Sequence, residues 1–291
     1  MWLLLPMLSS CKTQRDLRPE DSGDTQPAVD SGDTGVEAAP DRSMRFNGVG
    51  RLEVDIDDPA TTNESPVADI GDRDFTIEFW LKATANDNPA GAVECGSTIA
   101  WAQGNVLVDS SRADRSRGFG AAIAGNTVVF GALLDGQALS ICGAFDVLDG
   151  VWHHIALGRR ASNGQLFLFI DGGIQAVAKG PAGDLSYPDD ATPGSQTDPK
   201  LVFGVEKHGG LGFTGQLDEV RVSSLLRYES TFDVPTERLE PDGQTVILWH
   251  LDEASGAEAP DSAVIEGGPT PGVLVQLGEP IGPTWVEGGA L

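Results

Sequence analysis

An all-β fold, two antiparallel sheets packed face to face behind a disordered N-terminal tether, is what the sequence predicts, and three observations predict it. The 291 residues are punctuated by 37 glycines and 18 prolines, which suits strands and turns. In FTIEFWLKA (75–83) apolar residues recur with period two, Phe75, Ile77, Phe79 and Leu81 on one face and Trp80 on the other. Stretches of helical period are scarce. Four large apolar residues in one stripe mark the inner face of a sandwich.

Charge narrows the function classes. A formal net charge of -25 and a pI near 4.2 argue against nucleic acid and against an anionic membrane face as direct partners. They are compatible with an extracellular protein and with divalent cations. Residues 1–43 contribute only -4 of that charge, so the acidity belongs to the folded part.

The first eleven residues, MWLLLPMLSSC, run from an apolar stretch to Ser9, Ser10 and Cys11. This resembles the lipobox of bacterial lipoproteins, which implies cleavage before Cys11 and lipidation of its thiol. Lys12, where that family places an Asp retention signal, implies the outer membrane, with a membrane contact through the lipid alone. No Lys or Arg precedes the apolar run, a departure from an ordinary signal peptide. Residues 12–43 form an acidic linker with DSGDT at 21–25 and again at 30–34; so polar a segment is expected to be disordered and to act as a spacer.

Residues 44–291 are expected to form the sandwich. MRFNGVGRLEVDI (44–56) reads as a hairpin-like start in which Leu52, Val54 and Ile56 alternate with Glu53, Asp55 and Asp57. Trp80 is either a sugar-stacking platform or the floor of a neighbouring loop. Short strands are expected at 97–109, 119–124, 127–132 and 138–141. Arg112, Arg115 and Arg117 lie in the loop between two of them, placed either to receive an anionic sugar or to be neutralised locally. Cys95 and Cys142 are expected to form a disulfide, as a lone pair in an exported chain does. His153 and His154 are adjacent in a strand and point to opposite faces. Residues 152–160 and 165–170 should pair as a hairpin across Ser162, Asn163 and Gly164. The long loop 181–200, with Asp184, Asp189, Asp190 and Asp198, is the expected ligand-facing rim.

In FTGQLDEVRV (213–222), simple alternation puts Asp218 in line with Val220 and Val222, and makes Glu219 and Arg221 a solvated pair. A carboxylate among valines needs a partner. Residues 223–238 carry mixed signals, with one helical turn expected at 225–228. Residues 245–251 read as a central strand, and 272–286 supply closing strands. Asp252 and Glu253 would lie near Asp218 if the last strands pair across the sandwich edge. Two readings of Asp218 result: a structural calcium ion held by Asp218 with Asp252 or Glu253, or an acid satisfied by backbone N–H groups or an arginine.

FTGQLDEVRV, FTIEFWLKA, WHHIALGR (152–159) followed by LFLFIDGG (166–173), and LWHLDEASG (248–256) together resemble the laminin-G-like, or concanavalin A-like, jelly-roll family. The resemblance implies the fold and a surface-anchored, non-catalytic module whose ligand is a glycan or an extracellular protein. Two alternatives stand beside it. EVDID (53–57) nearly matches a glycosidase signature on the same fold, with Glu53 and Asp55 as the acids; a purely structural envelope lipoprotein is the other.

Overall fold

The computed structural model describes residues 41–57, 66–187, 199–206 and 209–291; Cys11, the linker up to residue 40, and the loop acids Asp189, Asp190 and Asp198 lie outside them. The strands are β1 (Arg42–Asn47), β2 (Arg51–Asp55), β3 (Phe75–Thr84), β4 (Asn105–Asp109), β5 (Arg117–Ala124), β6 (Thr127–Leu134), β7 (Gln137–Cys142), β8 (Asp149–Arg160) and β9 (Gln165–Ile170). They continue as β10 (Gly173–Lys179), β11 (Lys200–Phe203), β12 (Leu211–Gly212), β13 (Thr214–Ser223), β14 (Thr245–Trp249), β15 (Glu258–Ala259), β16 (Gly272–Val275) and β17 (Thr284–Glu287). A 3-10 turn at Ala100–Gln103 is the one helical element among the described residues.

These strands make two sheets. One has eight strands in the order β10-β9-β8-β3-β13-β1-β17, with β14 joining β13; the other has nine, β15-β16-β2-β11-β4-β5-β6-β7, with β12 against β4. The predicted stripe Phe75, Ile77, Phe79 and Leu81 is buried between them, against Leu52, Phe130 and Phe203 of the facing sheet. The domain does not start as a hairpin. β1 pairs with β13 and β17, whereas β2 pairs with β11 and β16 in the other sheet. Asn47 makes the crossing: its Oδ1 accepts hydrogen bonds from the N–H groups of Val49 (3.2 Å) and Gly50 (2.9 Å), a side-chain turn that redirects the chain.

Strand β13 differs most from its simple period. One edge pairs with β3; the other pairs first with β1, up to Leu217, and then with β14, from Val220. At that handover Asp218 faces Trp80 and Arg221 faces Glu78, three steps on β13 against two on β3, with Glu219 at φ 48°. This bulge reverses the alternation. Leu217, Val220 and Val222 therefore all enter the core, and Asp218 points to the outer face, away from the valines. Its Oδ2 accepts from Ala290 N–H (2.7 Å) and its Oδ1 from Glu219 N–H (2.9 Å). Nor are Glu219 and Arg221 a solvated pair. Both are buried: Glu219 accepts from Leu239 N–H at 2.8 Å and lies 2.7 Å from His250 Nδ1, while Arg221 grips Glu78 Oε1 at 2.8 and 2.7 Å.

The outer faces are partly covered. On the nine-stranded sheet, residues 93–103 lie over β4 to β7, anchored by the expected Cys95–Cys142 disulfide (Cα–Cα 5.8 Å) and by the buried Trp101. Its indole sits over Gly120 and Gly131, register partners on β5 and β6, where an added Cβ would come within 2.2 and 2.4 Å of the ring. On the eight-stranded sheet, residues 224–242 cover β8 and β9, with Leu226, Tyr228 and Phe232 packed on Ala156, Phe167 and Phe169. The helical turn expected at 225–228 does not form. Thr76 Oγ1 instead donates to the Leu225 carbonyl (2.9 Å) and accepts from Arg227 N–H (2.8 Å), so this backbone is bonded to the sheet.

Two outcomes follow for stability. Gly131→Val should cost roughly 1–3 kcal/mol by overpacking against Trp101, read from the denaturant midpoint; an unchanged midpoint would show that Trp101 does not pin its segment. Burial, together with Glu219, Asp41 and Asp252, pushes the Asp218 carboxyl up to about 8 against the hydrogen bond from Ala290. Between its ordinary value of 3.8 and about 8, the folded chain holds a proton that the unfolded chain releases. Stability therefore falls as pH rises through that window, by up to about 1.4 kcal/mol per unit. Asp69 and Asp109, both pushed up to about 7 chiefly by burial, act in the same direction. Melting temperature should drop between about pH 5 and about pH 8, with Asp218→Asn flattening the slope; an equally steep slope in the variant would show that Asp218 stays ionised throughout.

Candidate functional site

What residues 224–242 leave open is the other half of the eight-stranded sheet's outer face. Here Thr284, Arg45, Gln216, Lys82 and Trp152 stand opposite one another on β17, β1, β13, β3 and β8, one residue from each of five adjacent strands. Arg45, Gln216 and Lys82 point outward because Met44, Phe46, Leu217, Leu81 and Ala83 beside them point into the core. A cavity of 330 Å³ opens over the middle of this row, lined by Arg45, Lys82, Gln216, Thr84, Asp87 and Thr214 among others.

The cavity has a braced rim. Asn88 Nδ2 donates to the carbonyls of Thr84 (3.1 Å) and Thr214 (2.7 Å), and its Oδ1 accepts from Thr214 N–H (3.0 Å). Gln216 Nε2 donates to Ser43 Oγ (2.9 Å), which fixes the amide. Lys82 Nζ lies 5.8 Å from the centre of the Trp152 ring, within cation–π range. Neither Arg45 nor Lys82 has an ion-pair or hydrogen-bond partner among the described residues. Arg51, Arg115, Arg221, Arg227 and Arg238, by contrast, each face a carboxylate.

Trp80 stands one pleat further along β3, opposite Asp218 and His154. It is half-buried, edge-on to His154 at 5.4 Å, and borders the cavity row on the side of the covering segment. The other expected ligand residues do not join it. Arg112 and Arg115 belong to the β4–β5 connection of the other sheet and are turned to their own neighbours. Arg115 pairs with Glu206 and donates to Ser111 Oγ (2.9 Å); Arg112 lies 5.5 Å over the Tyr187 ring and 3.5 Å from Asp114. Asp184 accepts from Ser186 N–H (2.7 Å).

The acids considered for calcium gather near the bulge in the middle of β13, but as a donor set they do not fit the ion. Both oxygens of Asp218 accept backbone N–H groups. Asp252 Oδ1 accepts from Arg42 N–H (3.3 Å), and Arg238 bridges Asp252 Oδ2 (2.8 Å) and Glu219 (3.8 Å), so a guanidinium already sits between the acids. Burial raises the Glu253 carboxyl. Among the described residues no group of three or more His, Cys, Asp or Glu is arranged to hold a metal. Calcium asks for six to eight oxygens.

The histidines separate as alternation requires. His153 lies 2.7 Å from Asp171 and 3.1 Å from Asp149; burial lowers its pKa, but these two acids outweigh it and leave it raised. His154 is on the outer face, 3.2 Å from the buried Glu78 and edge-on to Phe232. Glu53 and Asp55 share the outer face of β2, which is flanked by β16 and β11 and is not an edge strand. Arg51 holds Glu53 at 2.7 Å, and Lys200 Nζ lies 3.6 Å from Glu53 and 2.5 Å from Asp55.

Several solved structures superpose on this chain. A Bacteroides ovatus protein proposed to bind carbohydrate superposes with a TM-score of 0.50 at 15% identity, covering 86% of this chain and 60% of its own. A native heptameric SAP-like pentraxin from Limulus polyphemus gives 0.39 at 14% identity over 65% of this chain and 79% of its own. Domains LG4-5 of the mouse laminin alpha1 chain give 0.43 at 12% identity over 69% and 48%. The chain thus spans about three-fifths of the Bacteroides protein's length. No curated protein sequence matches it. Residues 55–230 match the family model described as the concanavalin A-like lectin/glucanases superfamily, and the chain belongs to that family.

Proposed function

We propose that this protein is a non-catalytic binding module, tethered by lipid on Cys11 to the outer membrane of a bacterium, whose ligand is a carbohydrate received on the open half of the eight-stranded sheet. The observation that carries the reading is the row Arg45, Gln216 and Lys82, which lines a 330 Å³ cavity with a braced rim, with Trp152 next in register beside Lys82. It offers donors, an amide and an indole along one line, the mixture that sugar hydroxyls and ring faces require. Family membership supports it. On the other sheet, the lysine that bridges Glu53 and Asp55 leaves neither carboxylate turned freely toward a glycosidic bond, which favours binding over hydrolysis.

Two experiments test the proposal. A glycan array probed with the full chain, in calcium and again in EDTA, should give saccharide hits under both conditions, because the described acids build no metal cage. A blank array would overturn the carbohydrate reading and direct the search to a protein ligand. For the anchor, wild-type protein expressed in a diderm host should partition into the detergent phase and Cys11→Ala into the aqueous phase; equal partitioning would overturn lipidation at Cys11.

A further inference from the structure

We infer that the carbohydrate taken by this site is anionic, a chain bearing uronate carboxylates or sulfate esters, with Arg45 and Lys82 as the groups that recognise its charge. This rests on the binding reading above and narrows it. The chain carries 44 acids against 19 Lys and Arg, so carboxylates are plentiful, and most arginines have found one. Arg45 and Lys82 have none among the described residues. Asp87, the one carboxylate among the residues lining the cavity, instead accepts a hydrogen bond from Thr84 Oγ1 (2.8 Å). Lys82 is held against an indole face, which steadies the ammonium without neutralising it.

The spacing suits a polymer. β1 and β3 flank β13, so the Cα atoms of Arg45 and Lys82 stand about 10 Å apart across two strand intervals. Charges on neighbouring sugars of one chain can be met together, with Gln216 between them for a hydroxyl. A guanidinium takes a carboxylate or sulfate through two parallel N–H donors, and an ammonium adds a point charge. The protein's overall negative charge does not forbid this, since at physiological salt its field is screened within about 8 Å. Nucleic acid and anionic bilayers fit less well, because they present far more charge than two cations can offset on so acidic a surface.

The test titrates the full chain with two matched pairs: dextran sulfate against dextran, and polygalacturonate against its carboxyl-reduced form. The expected result is binding to at least one charged polymer and not to its neutral partner, weakened roughly tenfold in Arg45→Gln or Lys82→Gln and largely retained in Lys82→Arg. Binding to dextran sulfate alone would identify sulfate esters as the recognised group; binding to polygalacturonate alone would identify carboxylates. Equal affinity for charged and neutral partners, or charged binding indifferent to both substitutions, would overturn the inference and leave the carbohydrate reading intact. No binding to either charged polymer by a protein that scores neutral sugars on the array would do the same; no binding in either assay would overturn both.

Discussion

Strand β13 has to pair on one edge with two different strands, and the rest of the sheet depends on how it passes from one to the other. β1 ends its pairing at Leu217 and β14 begins at Val220, which leaves a short length of backbone edge without a ladder. Unpaired peptide groups cannot be buried cheaply. Two acids act here: the Asp218 carboxyl takes the N–H of Glu219 on this edge and that of Ala290, and Glu219 takes that of Leu239, which binds neighbouring segments to the gap. The bulge that frees their side chains also restores Val220 and Val222 to the core. One extra residue thus serves both the core and the edge.

The same bulge organises the outer face. Beyond it, Arg221 reaches Glu78, and Tyr228 Oη donates to the second oxygen of that acid (2.9 Å), drawing residues 224–242 over β8 and β9. Arg221 and His154 hold the Glu78 carboxyl below its ordinary range despite burial, which acts the other way. Before the bulge, no buried ion pair of this kind is found among the described residues, and the sheet stays open over Arg45, Gln216 and Lys82. The boundary between covered and open surface falls near Trp80, which stands edge-on to His154, itself edge-on to Phe232 of the covering segment.

Much of this was legible in the sequence, and the parts that were not share one cause. The stripe from Phe75 to Leu81, the β8–β9 hairpin, the Cys95–Cys142 disulfide and the opposed histidines all follow from local period and residue type. Asp218 reads from the sequence as an acid that needs partners, and backbone N–H groups supply them; the direction given by alternation is wrong, because alternation breaks wherever a bulge adds a residue, and nothing in LDEVRV announces one. The expected start hairpin failed for a related reason: Gly48 and Gly50 signal a turn but not which sheet receives the next strand. The cavity row was invisible because Arg45, Lys82, Trp152 and Gln216 are far apart in sequence. Each sits at an outward position of its own strand, which local pattern shows; that they align is a matter of register between strands.

The alignment also bears on why the two cations have no carboxylate partner among the described residues. Asp218 lies on the same outward face as Gln216, two residues or about 7 Å along β13, and its carboxyl is driven upward by burial and by neighbouring acids. A cation brought to it would relieve that strain, and Arg45 and Lys82 occupy the flanking strands. Yet Arg45 stays exposed and Lys82 turns to Trp152, while the acids around the β13 bulge draw on Arg238 and on backbone N–H groups instead. An arrangement chosen for stability alone would have closed that short gap. Leaving it open keeps two positive charges in solvent over a rigid floor, and that is the state in which an arriving anion gains most.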